Sequence, residues 1–371
     1  MNIFYISYIR FPSERAHAIQ VAQMCNAFTE CGHATTLLTT SRKKEVTHTF
    51  EEYFGVMQRF VHNTIWIPEW AVNASIFTKL WQIYFAFCCV FYLLRKHADL
   101  VYSRDEWVLF ILSFCLPRKR LAWESHEAKW NRASRRLFSK GVSCVVISEG
   151  IYDAYIKKGV NKNLLILEHD AVDANFFAEK YSQQTARKHL GIEGSGKVVL
   201  YIGGLDQWKG VDVLCKSASL FQDKASLYII GGRPEQIESY RRCYPNVAFL
   251  GFYTYAQLPL NQQAADVLVI PNTSKNESSS SFTSPLKLYT YMASGVPIVA
   301  SDVPSIRSVL GCGSCVYFTP DNPESLSNAI HAVLDRPEEA KEFAMRAGQL
   351  VQNKTWTNRA STILKSVVAE Q

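Results

Sequence analysis

Short apolar runs alternate with amphipathic stretches along the first half of the chain. Ile3–Ser7 is apolar enough to serve as a central parallel strand, buried on both faces. From Ala16 to Glu30, apolar side chains at Ile19, Ala22, Met24, Ala27 and Phe28 fall roughly on one helical face, and Gly32 closes that helix before a strand at Thr35–Thr39. Further strands are expected at Leu100–Ser103, Leu121–Glu124 and Val145–Ser148, each followed by a helical or loop segment. Such alternation implies a parallel sheet with crossover helices.

The pattern then restarts. Strands are expected at Lys197–Gly203, Ala225–Gly231, Val247–Leu250, Val267–Ile270 and Pro297–Ala300. Helices are expected at Val211–Leu220, Pro285–Ala293, Pro323–Leu334 and Glu338–Val351. The polar segment 178–196 separates the halves. A chain of 371 residues exceeds the roughly 250–300 at which single cores stop growing. The expected architecture is therefore α/β, two Rossmann-like doubly wound domains over residues 1–177 and 178–371, with the last helix able to pack back on the N-terminal domain. Two such domains facing each other hold ligands at the carboxyl ends of their strands, across the cleft between them.

Composition adds little to that picture. Hydrophobic content of 48% with 20% charged residues describes a globular protein. The net charge of +7 suits an acidic ligand or an anionic membrane surface, and no nucleic-acid-binding motif accompanies it. Ten cysteines are scattered through apolar runs, as expected of free thiols in a reducing, cytoplasmic setting. Cys312 and Cys315 form a CxxC without the second pair that a zinc site needs. The N-terminus reads as a strand and not as a secretion signal. The apolar stretch Leu80–Leu94 is interrupted by Gln82 and falls short of the ~20 residues that span a bilayer, so it reads as a buried or interfacial helix.

Two stretches carry the chemistry. In Ser281-Phe282-Thr283-Ser284-Pro285-Leu286-Lys287, Ser284 suits an N-cap and Pro285 an N1 position. The first-turn amides and dipole of the helix that follows stabilise a diphosphate without a metal, and Lys287 adds a charge. In Tyr201-Ile202-Gly203-Gly204-Leu205-Asp206-Gln207-Trp208-Lys209-Gly210, a strand runs into a Gly-Gly turn where the backbone can approach phosphate closely and Lys209 can neutralise it. A capped helix on a sheet and an ordinary strand-to-helix turn are the plainer readings of the two.

Together, Ser284 to Asp302 and Leu200 to Asp212 resemble glycosyltransferase family 4, the retaining transferases of the GT-B fold. Glu168 to Asp173, Trp123 to Glu127 and Ala16 to Ala22 also match, the last resembling members that act in surface-polysaccharide synthesis. The resemblance implies a hexosyltransferase-type enzyme that moves a sugar from a nucleotide-diphosphate sugar to a glycan or polyprenyl-linked acceptor, with no metal and no cofactor. It implies donor contacts from Gly203, Gly204, Lys209, Thr283, Ser284, Pro285, Leu286, Lys287 and Thr290. His126 and Lys209 take the catalytic positions, and Arg15, His17 and Arg104 the acceptor side. Asp170 and Asp173 fall in the junction loop.

Three positions depart from the family pattern. Phe282 and Thr290 stand where relatives carry an E-x7-E pair, so the ribose contact is expected to be weaker, and Gly204 replaces an arginine that supports the diphosphate. In the retaining reaction the leaving phosphate itself takes the acceptor's proton, while Lys209 and the helix amides stabilise its charge. Basic residues from Arg118 to Lys162, with Trp107, Phe110, Phe114 and Trp130, suit peripheral contact with anionic lipid at the inner face of the cell membrane; a solvated face accounts for them equally well. A nucleotide-sugar epimerase on the same fold, or a non-catalytic nucleotide-sugar-binding protein, remains the alternative.

Overall fold

The structure, a computed structural model, describes residues 1–13, 15–41, 49–68 and 75–369. It contains two compact units. One comprises Met1–His169 together with Trp356–Gln371, and the other comprises Asp170–Thr355. The chain thus divides at Asp170, ahead of the polar segment 178–196, part of which forms a helix of the second unit (Gln183–His189).

The first unit is built on a parallel sheet of β1 (Asn2–Arg10), β2 (Ala34–Thr40), β3 (Val61–Ile65), β4 (Leu100–Ser103), β5 (Leu121–Ser125), β6 (Ser143–Val146) and β7 (Leu165–Leu167). The strand order is β3-β2-β1-β4-β5-β6-β7. Ile3, Tyr5 and Ile6 are fully buried at its centre, and β1 registers Ile3 against Thr35 on one side and Leu100 on the other. β6 begins and ends earlier than the expected Val145–Ser148. The reason is local: the Ser148 hydroxyl accepts from the Ile151 amide and caps the helix Glu149–Lys157, so Ser148 has left the strand. The helix Ala16–Glu30 has the predicted bounds. Against it packs the C-terminal helix Trp356–Ala369, which buries Trp356, Ala360, Ile363, Leu364 and Val367 at helical spacing.

The second unit repeats the scheme with β8 (Lys197–Ile202), β9 (Ala225–Ile230), β10 (Ala248–Gly251), β11 (Val267–Ile270), β12 (Ile298–Ser301) and β13 (Val316–Phe318), in the order β10-β9-β8-β11-β12-β13. Val199, Tyr201, Val211, Leu214, Phe221, Ile229 and Val269 belong to one buried apolar cluster there. Both sheets reverse their winding once, between β1 and β4 and between β8 and β11. At such a switch point the flanking crossovers run to opposite sides, leaving a crevice at the carboxyl ends of the strands.

One local expectation is corrected. Ser284 is not the cap of the helix that follows; that helix spans Leu286–Ser294, and Pro285 holds the N-cap position without a side-chain cap. The Ser284 hydroxyl is engaged elsewhere, accepting from the Asp170 amide at 2.9 Å and sharing a 3.0 Å hydrogen bond with the Tyr289 hydroxyl.

Gly210 is where the second sheet demands a particular residue. It takes φ +72° ahead of the helix Val211–Phe221, and a Cβ there would fall 1.7 Å from the Pro271 carbonyl oxygen. Gly210→Ala combines left-handed strain with overpacking and should cost about 3 kcal/mol. Urea unfolding checks this, and an unchanged midpoint would refute the account.

Candidate functional site

In the first unit, the carboxyl ends of β1, β4 and β5 border a cavity of about 200 Å³. Its lining includes Ser7, Ile9, His17, Arg104, Asp105, Ser125, His126, Glu127 and Lys129. Three residues expected from sequence, His17, Arg104 and His126, therefore come together. Arg15 does not join them: it is exposed at the N-cap of Ala16–Glu30, where its carbonyl accepts from Ala18 and Ile19.

Beneath the cavity lies a fully buried carboxylate. Glu124 Oε1 accepts from Gln20 Nε2 and from His126 Nε2, each at 2.5 Å. Its Oε2 accepts from the Tyr102 hydroxyl and from Arg359 Nη1, the latter at 3.2 Å. Burial alone would raise this carboxyl, but the Arg359 guanidinium, the His126 hydrogen bond and the Arg104 charge hold it well below the usual range. An ionised carboxylate only accepts, so Nε2 of His126 carries the proton and Nδ1 the lone pair. Burial and then the Arg104 charge depress His126 to about 4 against the opposing pull of Glu124, so the imidazole is neutral at pH 7. Arg359 is fixed in turn by the carbonyls of His169 at 2.7 Å and Glu168 at 3.3 Å, and Arg104 by Gln20 Oε1 at 3.1 Å.

In the second unit, Gly203 and Gly204 follow β8, and Lys209 lies in the same connection; Lys287 lies in the connection that follows β11. The turn is cramped by cations. A Cβ on Gly203 would lie 2.8 Å from Lys287 Nζ, and one on Gly204 2.8 Å from Lys209 Nζ. Lys209 is paired with Asp206 at 2.9 Å. The Lys287 ammonium is buried with no hydrogen-bond partner among the described residues, 4.0 Å from the centroid of the Tyr201 ring. Burial, and after it the Lys209 charge, push its pKa well below the ordinary lysine value, while Asp206 pulls the other way. Pro285 gives the next helix no side-chain cap; the Leu288 amide donates to the Pro285 carbonyl at 2.8 Å, and the Leu286 and Lys287 amides at the start of the helix have no intrahelical acceptor. Thr283 is half-buried beside this turn. Thr290 is placed differently: it is 2% exposed, and its hydroxyl donates to the Lys287 carbonyl and accepts from Gln262 Nε2, both at 3.0 Å. With its proton committed to the Lys287 carbonyl, Thr290 could offer a ribose only its remaining lone pair.

Sequence reasoning assigned no role to Glu124, Gln20 or Arg359. A glutamate within the buried strand Leu121–Ser125 and an arginine on the apolar face of an amphipathic helix were the available signals, since each demands a partner.

Two parallel sheets, each with one reversal of winding, define a Rossmann-like α/β protein. Residues 196–336 match the family model described as Glycosyl transferases group 1. The chain is 28% identical over 206 residues to a phosphatidyl-myo-inositol mannosyltransferase of Mycobacterium leprae, a match covering 54% of each. It therefore spans about half the length of that curated relative. Across 98% of both chains it superposes on the crystal structure of Anabaena Alr3699/HepE in complex with UDP and glucose, at 17% identity and a TM-score of 0.76. WaaG, a glycosyltransferase involved in lipopolysaccharide biosynthesis, shares the fold at 12% identity and a TM-score of 0.71, over 97% of this chain and 98% of that one. The chain is thus similar to group 1 glycosyl transferases through residues 196–336.

Removing the Glu124 charge leaves Arg359 buried without its counterion. Glu124→Gln should cost about 3–5 kcal/mol, and Glu124→Gln combined with Arg359→Met should recover most of it; equal stability of the single and double variants in urea would exclude the pair. The His126 pKa is depressed, so the unfolded chain takes up its proton first on acidification. The stability contributed by neutral His126 is complete above about pH 6.5 and is lost as pH falls toward 4, amounting to about 3 kcal/mol. His126→Asn should flatten that part of the stability–pH curve, measured by denaturation at stepped pH.

Proposed function

We propose that this protein is a retaining glycosyltransferase that uses a nucleoside diphosphate sugar as donor and a glycan or lipid-linked molecule as acceptor, in the synthesis of a surface polysaccharide. The observation that carries the proposal is the buried, unpartnered Lys287 ammonium beside Lys209 at the Gly203–Gly204 turn. Two cations held together, one without a counterion and with its charged form disfavoured, await an anion of more than one charge. A diphosphate meets that need and relieves both the repulsion and the lost hydration. The glycines let it approach the backbone, and the amides at the start of Leu286–Ser294 add donors and a favourable dipole.

In this reading the sugar–phosphate bond breaks as negative charge grows on the diphosphate, and the two lysines are already in place to stabilise it. The acceptor hydroxyl attacks on the face the diphosphate leaves, and the leaving phosphate receives its proton. The preorganised lysine charges do the electrostatic work, so no metal is expected to be required. His126, neutral with its Nε2 proton committed to Glu124, presents Nδ1 as an acceptor for a sugar hydroxyl. The resemblance to solved glycosyltransferases and the mannosyltransferase match support this reading, and the Mycobacterium leprae relative's name points to a lipid-borne acceptor. The sites of work that follow are cytoplasmic, with peripheral contact at an anionic membrane.

A thermal-shift panel of nucleoside diphosphates and their sugars tests the donor site, because a ligand that binds only the folded protein raises its melting temperature. One nucleotide should give a shift that chelator leaves unchanged, and no shift with any would refute the reading. Lys209→Ala and Lys287→Ala should each abolish transfer and remove the shift while leaving the fold intact by circular dichroism; retained transfer in either would remove that lysine from the mechanism.

A further inference from the structure

The helix Ser75–Leu94 has two apolar faces. Phe85, Ala86, Cys89, Val90 and Leu93 are buried on one of them, and the helix Glu106–Cys115 packs against it. The other face carries Leu80, Ile83, Tyr84, Phe87, Phe91 and Leu94, all exposed, with Phe91 at 63% and Leu94 at 68%. At 100° per residue these six side chains fall within an arc of about 100°. The arc is one unbroken strip along four turns of helix, not a scatter of single apolar residues of the sort any surface carries. Lys79 is the sole charged residue of the helix, and Arg95 and Lys96 are exposed directly after it. No helix among the described residues is long and apolar enough to cross a membrane.

Charge identifies what covers the strip. The unit that bears it holds 23 Lys and Arg against 15 Asp and Glu, while the second unit holds 17 against 18. All of the net positive charge therefore sits on the unit with the exposed apolar face. A second copy of the chain brought to that face would bring the same excess of positive charge and be repelled. An anionic lipid surface is attracted instead, and its acyl region takes up apolar side chains that lie parallel to it.

We propose that the strip Leu80–Leu94 docks the protein on an anionic lipid bilayer, with the helix lying in the plane of the interface. The phenylalanines and leucines enter the acyl boundary, and Arg95 and Lys96 meet the head groups. This surface is distinct from the basic residues 118–162 read from the sequence. The inference rests on the proposed lipid-linked acceptor only for its purpose, and the surface would bind whether or not the enzyme turns over.

Sedimentation of the full chain with phosphatidylglycerol–phosphatidylcholine vesicles, and with phosphatidylcholine vesicles alone, tests the proposal. The protein should sediment with the anionic vesicles and remain in solution with the neutral ones. Phe87→Ser combined with Phe91→Ser should weaken vesicle binding by about tenfold or more while keeping the circular dichroism and the nucleotide-induced thermal shift of the unaltered protein. Arg95→Gln with Lys96→Gln, which leaves the apolar strip intact, should weaken it as well and make the remainder less sensitive to salt. Vesicle binding unchanged in the phenylalanine variant overturns the proposal. So does a chain that elutes as a dimer which the same variant converts to monomer, for the strip would then be an interface between copies. A missing nucleotide shift with intact vesicle binding would count against the donor site alone.

Discussion

A single carboxylate organises the first unit. Glu124 sits within β5 with no exposure to solvent, where an uncompensated charge is costly enough to be incompatible with a stable fold. Its partners arrive from four places in the sequence: Gln20 from the helix after β1, Tyr102 from β4, His126 just beyond β5, and Arg359 from the C-terminal helix. Each must reach its position for the charge to be tolerated. Satisfying the carboxylate therefore fixes the relative placement of two strands and two helices, and with them the floor of the cavity lined by His17, Arg104 and His126. The neutral state of His126 and its single tautomer follow from the same requirement.

The second unit treats charge in the opposite way. The Lys287 ammonium is buried too, yet among the described residues it has no hydrogen-bond partner; Asp206 stabilises its charge only at a distance, and the nearest cation opposes it. A buried ion with a full set of partners is tolerated by a fold, whereas one left without them is costly and marks a candidate binding site. Asp206 holds Lys209 at the rim without reaching a hydrogen bond to Lys287. The two units thus place their charged groups at equivalent switch points of similar sheets, one set satisfied within the protein and the other crowding two lysines together.

Much of this was legible beforehand. The central strands and the long helices follow from apolar runs and 3.6-residue periodicity, and their observed bounds differ from the expected ones by a residue or two at most positions. β6 shifted because Ser148 is worth more as a helix cap than as a strand residue. β3 and β7 escaped notice because both are short edge strands, and Val61-His62-Asn63-Thr64-Ile65 carries too much polar content to stand out. The phosphate-suited turn was visible in its glycines and lysines, since local chemistry demands those types. The Glu124 network was not, because Arg359 lies 235 residues from Glu124 and no local pattern announces the pairing. Thr290 shows the remaining limit: its position in a motif suggested a ligand contact, whereas its hydroxyl is taken up by Gln262 and the Lys287 carbonyl.

The return of the chain to the first unit at Trp356 sets an order on how the protein comes into being. Synthesis delivers the seven strands of the first sheet before the second unit, but the arginine that neutralises Glu124 is made 235 residues after it. Until then the growing polypeptide must carry an unmatched carboxylate and the bare apolar face of Ala16–Glu30, against which the last helix packs. The second unit, continuous in sequence from Asp170 to Thr355, has no such wait.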